Sequence, residues 1–355
     1  MRRALLVAVS IVAVSACGDD EGGTGVNPAP AGKPWATLDE WRLFSDAAHQ
    51  VPADGVLPYE VIAPLFSDYT SKHRFLWVPP GKTITYRDDG AWDLPVGGIA
   101  IKTFAYPLDA RDPDLGERVL ETRLLVRTEA GWEPHTYVYQ PDGSALPKVA
   151  GTFIQASWID AEGVTQEHRY VVPSTDECQQ CHGTKPATRL LGVKTAQLDR
   201  PGLDGEEQLD RFAAAGWFAT APPPKAQRTR FADPFGDADL SLRARSYLDA
   251  NCAHCHSVAG DANSKALYLD FASTDPAQPD ANWGACKVPT SAGGSTCGNV
   301  YDLVPGSAAT SVMICRMEST RGADQMPPIG RGLVHEEGLD VLRQWIDAMP
   351  ADDCK

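Results

Sequence analysis

The sequence predicts a multidomain α+β protein, with a β-rich N-terminal domain, sandwich or barrel-like, followed by mainly helical segments. Three observations predict this. From Tyr59 to Pro173, short β-branched and aromatic runs alternate with turn signals, and VLETRLLV and HTYVYQ have a period near two. Beyond Pro173 the period lengthens. Leu240, Ala244, Tyr247 and Leu248 share one helical face, as do Leu339, Leu342, Trp345, Ile346 and Met349. Finally, 31 glycines and 28 prolines in 355 residues imply short elements joined by long loops.

A hydrophobic share of 43% and a charged share of 22% are an ordinary globular mix, so the chain can build a core. Acidic residues number 47 and basic residues 32, a net charge of −15. Such a field repels phosphate backbones and excludes nucleic acid as a partner.

Residues 1–16 (MRRALLVAVSIVAVSA) read as a signal peptide: Arg2 and Arg3, then an apolar run too short to anchor in a bilayer. The run ends in Val14-Ser15-Ala16-Cys17, small residues before a cysteine, as in a bacterial lipoprotein signal. Cys17 is the expected lipidation site. An ordinary signal peptide cut nearby is the alternative, and both export the chain. From Cys17 onward the charge is −15 − 2 = −17, because Arg2 and Arg3 are lost. Residues 17–35 read as a flexible tether. The expected location is the cell envelope, the chain held to a membrane by acyl chains and facing the periplasm or the cell surface.

Residues 36–173 are the expected β-rich domain. TLDEWRLFSDAAH near its start reads as a short helix with Trp41 and Phe44 inward, and DDG, EAGW, PDG and AEG read as turns. Residues 174–235 contain helical pieces, one with Leu209, Phe212 and Ala213 in register, and the linker-like APPPKAQRTR. Residues 236–355 open with a helix running into Cys252. Ser307 is placed to cap a helix through Met317.

The nine cysteines carry the chemistry. Four form two CxxCH units, Cys178-Gln179-Gln180-Cys181-His182 and Cys252-Ala253-His254-Cys255-His256. This is the c-type haem attachment signature. Two thiols three residues apart can add to the two vinyl groups of one haem, and the following histidine reaches the iron as proximal ligand. Chance supplies about 0.005 such units in a chain of this composition. A redox dithiol or a zinc site is the rival reading, but it leaves both histidines unexplained. The expected cofactors are therefore two covalently attached haem c groups. Residues 174–235 become a first haem-binding segment, and residues 236–355 a cytochrome c-like domain with the second haem.

Beyond Cys17 and these four, Cys286, Cys297, Cys315 and Cys354 suggest two disulfides in an oxidising compartment. Three pairings exist. Cys286–Cys297, closing a short loop, with Cys315–Cys354, pinning the C-terminus, is the favoured one.

A sixth iron ligand decides whether a haem only moves electrons or binds small molecules. For the second haem the candidate is Met326, on the Asp324-Gln325-Met326-Pro327-Pro328 loop; Met313 and Met317 read as core. No methionine lies between His182 and Met313, so the first haem needs a histidine, a distant methionine, something unusual or nothing. His73, in Lys72-His73-Arg74-Phe75, is the leading candidate.

The chain resembles uncharacterised bacterial dihaem c-type cytochromes, often encoded beside a parallel β-helix protein. The resemblance rests on Pro64-Leu65-Phe66-Ser67-Asp68-Tyr69, Lys102-Thr103-Phe104-Ala105-Tyr106-Pro107, Leu120-Glu121-Thr122-Arg123-Leu124-Leu125, Asn251-Cys252-Ala253-His254-Cys255-His256 and Met326-Pro327-Pro328. It covers nearly the whole chain after the signal peptide. It implies an envelope cytochrome with two covalent haems and a β-rich N-terminal domain, and a parallel β-helix protein as a candidate partner. It carries no assigned reaction.

Three functions follow as expectations. The first is electron transfer in the cell envelope with a periplasmic or envelope redox partner. The alternative is a dihaem peroxidase-like oxidoreductase with an open first haem. The third is a scaffold whose haem serves redox sensing.

Overall fold

The computed structural model describes residues 25–183, 188–290, 296–322 and 324–354. The expected signal peptide, Cys17 and the first part of the tether lie outside them.

The segment read as an N-terminal helix makes only one 3-10 turn, Asp39–Trp41, which Arg42 ends in the left-handed region at φ 53°. Tertiary contacts override its helical texture. Trp41 is fully buried and its indole donates to the Tyr137 hydroxyl at 2.6 Å, while Phe44 enters a strand. That strand, β1 (Phe44–Asp46), pairs with β2 (Val51–Pro52).

The period-two runs then build a six-stranded antiparallel sheet: β3 (Val56–Pro58), β4 (Ser71–Trp77), β5 (Ile99–Pro107), β6 (Glu117–Thr128), β7 (Gly131–Tyr139) and β8 (Ala145–Pro147). Spatial order follows sequence order. Gly143, in the expected PDG turn, takes φ 87°, which a side chain would resist. A separate hairpin, β9 (Thr152–Ile159) and β10 (Thr165–Val172), packs against the sheet by stacking Trp158 on Tyr106 at 4.1 Å. The sheet ends in open edges at β3 and β8, so it does not close into the expected barrel.

Strand alternation gives the sheet two different faces. Phe75, Trp77, Ile99, Ile101, Leu124, Val126 and Tyr137 pack with the N-terminal Leu38, Trp41 and Leu43. Leu76, Ala100, Leu125 and Trp132 of the opposite face pack with Leu190, Val193, Leu198, Leu209 and Phe212, which follow the first CxxCH unit.

Six short helices complete the described fold: α1 (Thr175–His182), α2 (Thr195–Leu198), α3 (Gln208–Ala214), α4 (Leu240–Asn251), α5 (Val312–Glu318) and α6 (Glu336–Asp347). The expectation of mainly helical haem domains is overturned. The molecule is sheet-rich, and the described residues between α4 and α5 hold only 3-10 turns. The reason is compositional. A helical period exists only in brief windows, and the intervening AGDANSKALYLDFASTDPAQPDANWG is dense in Gly, Pro, Asp, Asn and Ser. In α3 Leu209 and Phe212 are buried but Ala213 is exposed, and Ser307 caps only the turn Ala308–Thr310 without a side-chain bond. Around α4 and α6 a second core gathers Tyr247, Leu248, Ile314, Met317, Leu342 and Ile346, with Met313 and Met349 packed at its edge. Among the described residues no helix is long and apolar enough to cross a membrane.

The two parts of the chain are tied by the Pro64–Tyr69 segment. The Phe66 amide donates to Asn251 Oδ1 at 2.8 Å, beside the second CxxCH unit. Asp68, 2% exposed, accepts from the Gly332 and Leu333 amides at 2.7 and 2.8 Å and pairs with His168 Nε2 at 2.9 Å.

Candidate functional site

Ser174 and Glu177 form a reciprocal capping box that starts α1, so Cys178, Cys181 and His182 fall on one helical face. The second unit continues α4 by another turn: the Cys255 and His256 amides both donate to the Cys252 carbonyl, at 3.1 and 2.9 Å.

The two units meet. The Cys181 and Cys255 sulfurs and a ring nitrogen of His254 all lie within 4.8 Å of one another, and Cys255 Sγ is 3.3 Å from the Gln180 carbonyl. Hydrogen bonding from Cys181, with His254 adding to it, holds the Cys255 thiol below its ordinary range, and the same contact pushes Cys181 up. Arg189 stitches the units together. Its guanidinium donates to the His254 and Ala259 carbonyls, while its own carbonyl accepts from His182 Nδ1 at 2.9 Å.

That last bond fixes the His182 tautomer: Nδ1 holds the hydrogen, and Nε2 is left with its lone pair. Burial pushes the ring down to about 4, against the pull of the Arg189 carbonyl, so it is neutral. His256 is likewise pushed down by burial. Its Nδ1 is buried without a hydrogen bond, although the Leu267 carbonyl is placed to favour the protonated ring.

These residues fit covalent haem. Each unit offers two thiols and a neutral imidazole at the required spacing, on a helical turn. A small cleft lies between α1 and the sheet, lined by Cys178, Gln179, His182, Trp132 and Pro134.

Met326 lies on a braced loop. Its amide donates to the Arg316 carbonyl at 3.0 Å, and Arg331 donates to its carbonyl at 2.7 Å and to those of Met317 and Ser319 at 2.9 Å. Met326 is half-buried and stands outside the apolar core that holds Met313, Met317 and Met349.

His73 is not brought to the first unit. It opposes Thr103, whose partner is Thr122, and so projects from the sheet face opposite Trp132 and Pro134; its Nε2 pairs with Glu117 at 2.5 Å. Other histidines are engaged elsewhere: His49 with Asp46, His168 with Asp68, and His335 with Tyr247 and, stacked, with Phe66.

Sequence reasoning missed what lies beneath α1. Arg74, Lys102 and Arg123 stand opposite one another on β4, β5 and β6, a row of three cations across one face. Glu121, fully buried on that face, accepts from Arg123 and from the Tyr170 hydroxyl at 2.6 Å. Burial, then the neighbouring Arg74, pushes Lys102 far below the usual lysine range, and Lys102 in turn acts on His182. The available signal was a charged residue on the apolar phase of each strand, within KTFAYP and LETRLL.

The disulfides differ from the favoured pairing. Cys286 bonds Cys354, with Cα atoms 4.8 Å apart, and Cys297 bonds Cys315, at 6.3 Å. Loop length does not choose partners; Cα spacing set by the fold does. The C-terminal tail folds back after α6, where Tyr301 donates to the Cys354 carbonyl, and α5 carries Cys315 to the 3-10 turn holding Cys297.

Compared with known proteins, the chain matches no family model, no curated protein and no solved structure.

Proposed function

We propose that this chain is a dihaem c-type cytochrome that passes electrons in the cell envelope, from one haem to the other and on to a redox partner. The observation carrying this reading is the meeting of the two CxxCH units, whose second cysteines approach to within 4.8 Å. Cys178, Cys181 and His182 would hold the first group, and Cys252, Cys255, His256 and Met326 the second. Bound haem supplies reversible one-electron chemistry, and a Met-ligated haem sits at higher potential. The chain's own work is positional. Arg189 locks the two attachment turns together, the Arg189 carbonyl orients His182, and Arg331 braces the Met326 loop. A fixed, adjacent pair of attachment points suits rapid exchange between two redox groups.

One observation favours a second reading. Among the described histidines outside the two units, His49, His73, His168 and His335 are engaged away from His182, which supports a peroxidase-like chain with an open first haem. Cys181, His254 and Cys255 together could also ligate zinc.

The deciding experiment is a haem and metal count on protein expressed with haem-attachment machinery, followed by reduced spectra with and without carbon monoxide. Two covalent haems and no shift support electron transfer. A shift in one haem favours the open-site reading. Zinc without haem overturns both.

A further inference from the structure

We infer that the Arg74–Lys102–Arg123 row is a dicarboxylate cradle, built to receive the two propionates of the haem on Cys178 and Cys181. The inference rests on the haem reading above and adds a role for the sheet.

The argument is one of charge. Four basic side chains, Lys72, Arg74, Lys102 and Arg123, stand on this one sheet face, and Arg200 acts on Arg74 from outside it. Glu121 is the carboxylate on the same face, and Glu60 and Asp68 act on Arg74 and Lys72. Arg74 is 7% exposed and Glu121 is fully buried. Charges removed from water are tolerated only when paired. The pairing inside the site is uneven. Glu121 is committed to Arg123 and Tyr170, and Lys72 donates to the Thr70 carbonyl at 2.7 Å. Among the described residues Lys102 forms no ion pair, and Glu121 acts on it only at a distance. Its Nζ lies over the Phe104 ring at 4.8 Å, and the guanidinium of Arg123 covers the same ring at 4.3 Å.

Placement supplies the rest. Arg123 and Lys102 both act electrostatically on residues of the first unit, Arg123 on Cys178 and both on His182. Trp132 and Pro134, which line the cleft beneath α1, lie on this same sheet face, on β7 beside β6. The ligand this chemistry selects is a dianion with two separated carboxylates. Haem held by Cys178 and Cys181 brings such a pair; a small dicarboxylate or oxyanion from solution is the other source. Planar guanidinium groups on either side of an ammonium suit carboxylate recognition.

The test is spectropotentiometry of the holoprotein as wild type, Lys102→Met, Lys102→Gln and Lys102→Arg, with a haem count on each. A cation beside the propionates favours the reduced iron. Removing it should therefore lower one of the two potentials by about tenfold in the reduction equilibrium, or 59 mV for one electron. Lys102→Arg should restore the wild-type value, and added succinate or sulfate should leave wild type unmoved. Lys102→Gln covers the case in which the methionine variant does not fold. Two haems with unmoved potentials in Lys102→Met or Lys102→Gln overturn the cradle alone. A wild-type potential that moves with succinate or sulfate overturns it in favour of a solution ligand. Conversion of one haem to high spin in a lysine variant overturns it by placing the Lys102 amine on iron. Absence of covalent haem in wild type overturns the cradle and the proposed function together.

Discussion

Asp68 is the residue whose loss should reach furthest. Its carboxylate is 2% exposed and receives three donors: the amides of Gly332 and Leu333 and the ring of His168. Truncation to alanine leaves three partly buried polar groups without a partner. Each such group costs about 1–3 kcal/mol, and neighbours share relaxation, so Asp68→Ala should destabilise by about 3–5 kcal/mol. Asp68→Asn keeps one acceptor oxygen and a side chain tolerant of the φ of 52° found there, so it should lose about half as much. Guanidinium unfolding followed by tryptophan fluorescence reads both, as a shift in midpoint at constant slope. Because Gly332 follows Arg331, the brace of the Met326 loop, Asp68→Ala should also perturb the potential of the haem that the proposed function places on Met326. A shift below about 1 kcal/mol in Asp68→Ala would refute the reasoning. So would equal losses in the two variants, since the acceptor kept by asparagine would then count for nothing.

Peptide mapping of unreduced protein should recover Cys286–Cys354 and Cys297–Cys315. Closed loops of 68 and 18 residues put the entropic cost of Cys286→Ser near about 4 kcal/mol and of Cys297→Ser near about 3 kcal/mol, readable by denaturant titration. Met326→Ala should lower the potential of one haem and open it to carbon monoxide, as seen in the reduced spectrum; an unchanged spectrum and potential would remove the ligand assignment. His73→Ala should leave both haem spectra unchanged, because His73 projects from the far face of the sheet. It should instead alter acid stability. Its hydrogen bond holds Glu117 below the ordinary 4.5, so the pair stabilises the fold above that value, and the contribution fades as pH falls through the lowered one. Acid unfolding curves of His73→Ala and wild type should therefore differ by no more than about 1 kcal/mol near neutrality and converge in acid.

The two CxxCH units and the strands are the most legible parts of the chain. Period-two runs such as VLETRLLV announce a sheet because one face must be dry, and the spacing of Cys178, Cys181 and His182 is the one that the proposed haem attachment requires. What the sequence hid is long-range. Nothing local tells that Cys181 and Cys255, 74 positions apart, share a contact. Nor does local pattern show that Arg189 joins both turns or that the C-terminal tail returns to Cys286. The helical texture of TLDEWRLFSDAAH misled because the burial of Trp41 against Tyr137 outweighs propensity. His73 misled because its face depends on register, and a one-residue shift reverses it. Lys102, Glu121 and Arg123 lie in runs read only for their strand period or their resemblance; that they share one face becomes visible when β5 and β6 are aligned.

The approach of Cys181 to Cys255 also bears on how the protein is made. In an oxidising compartment, two free sulfurs this close, with the Cys255 thiol held low, form a pair ready to oxidise to each other. A chain that folds first would consume one thiol from each unit and leave neither complete. On the proposed dihaem reading, haem attachment would have to precede the docking of α1 against the second unit, or a reductant would have to hold the thiols open until it does. A Cys181–Cys255 disulfide in haem-starved cells is the expected mark of that order, and its absence there would count against it.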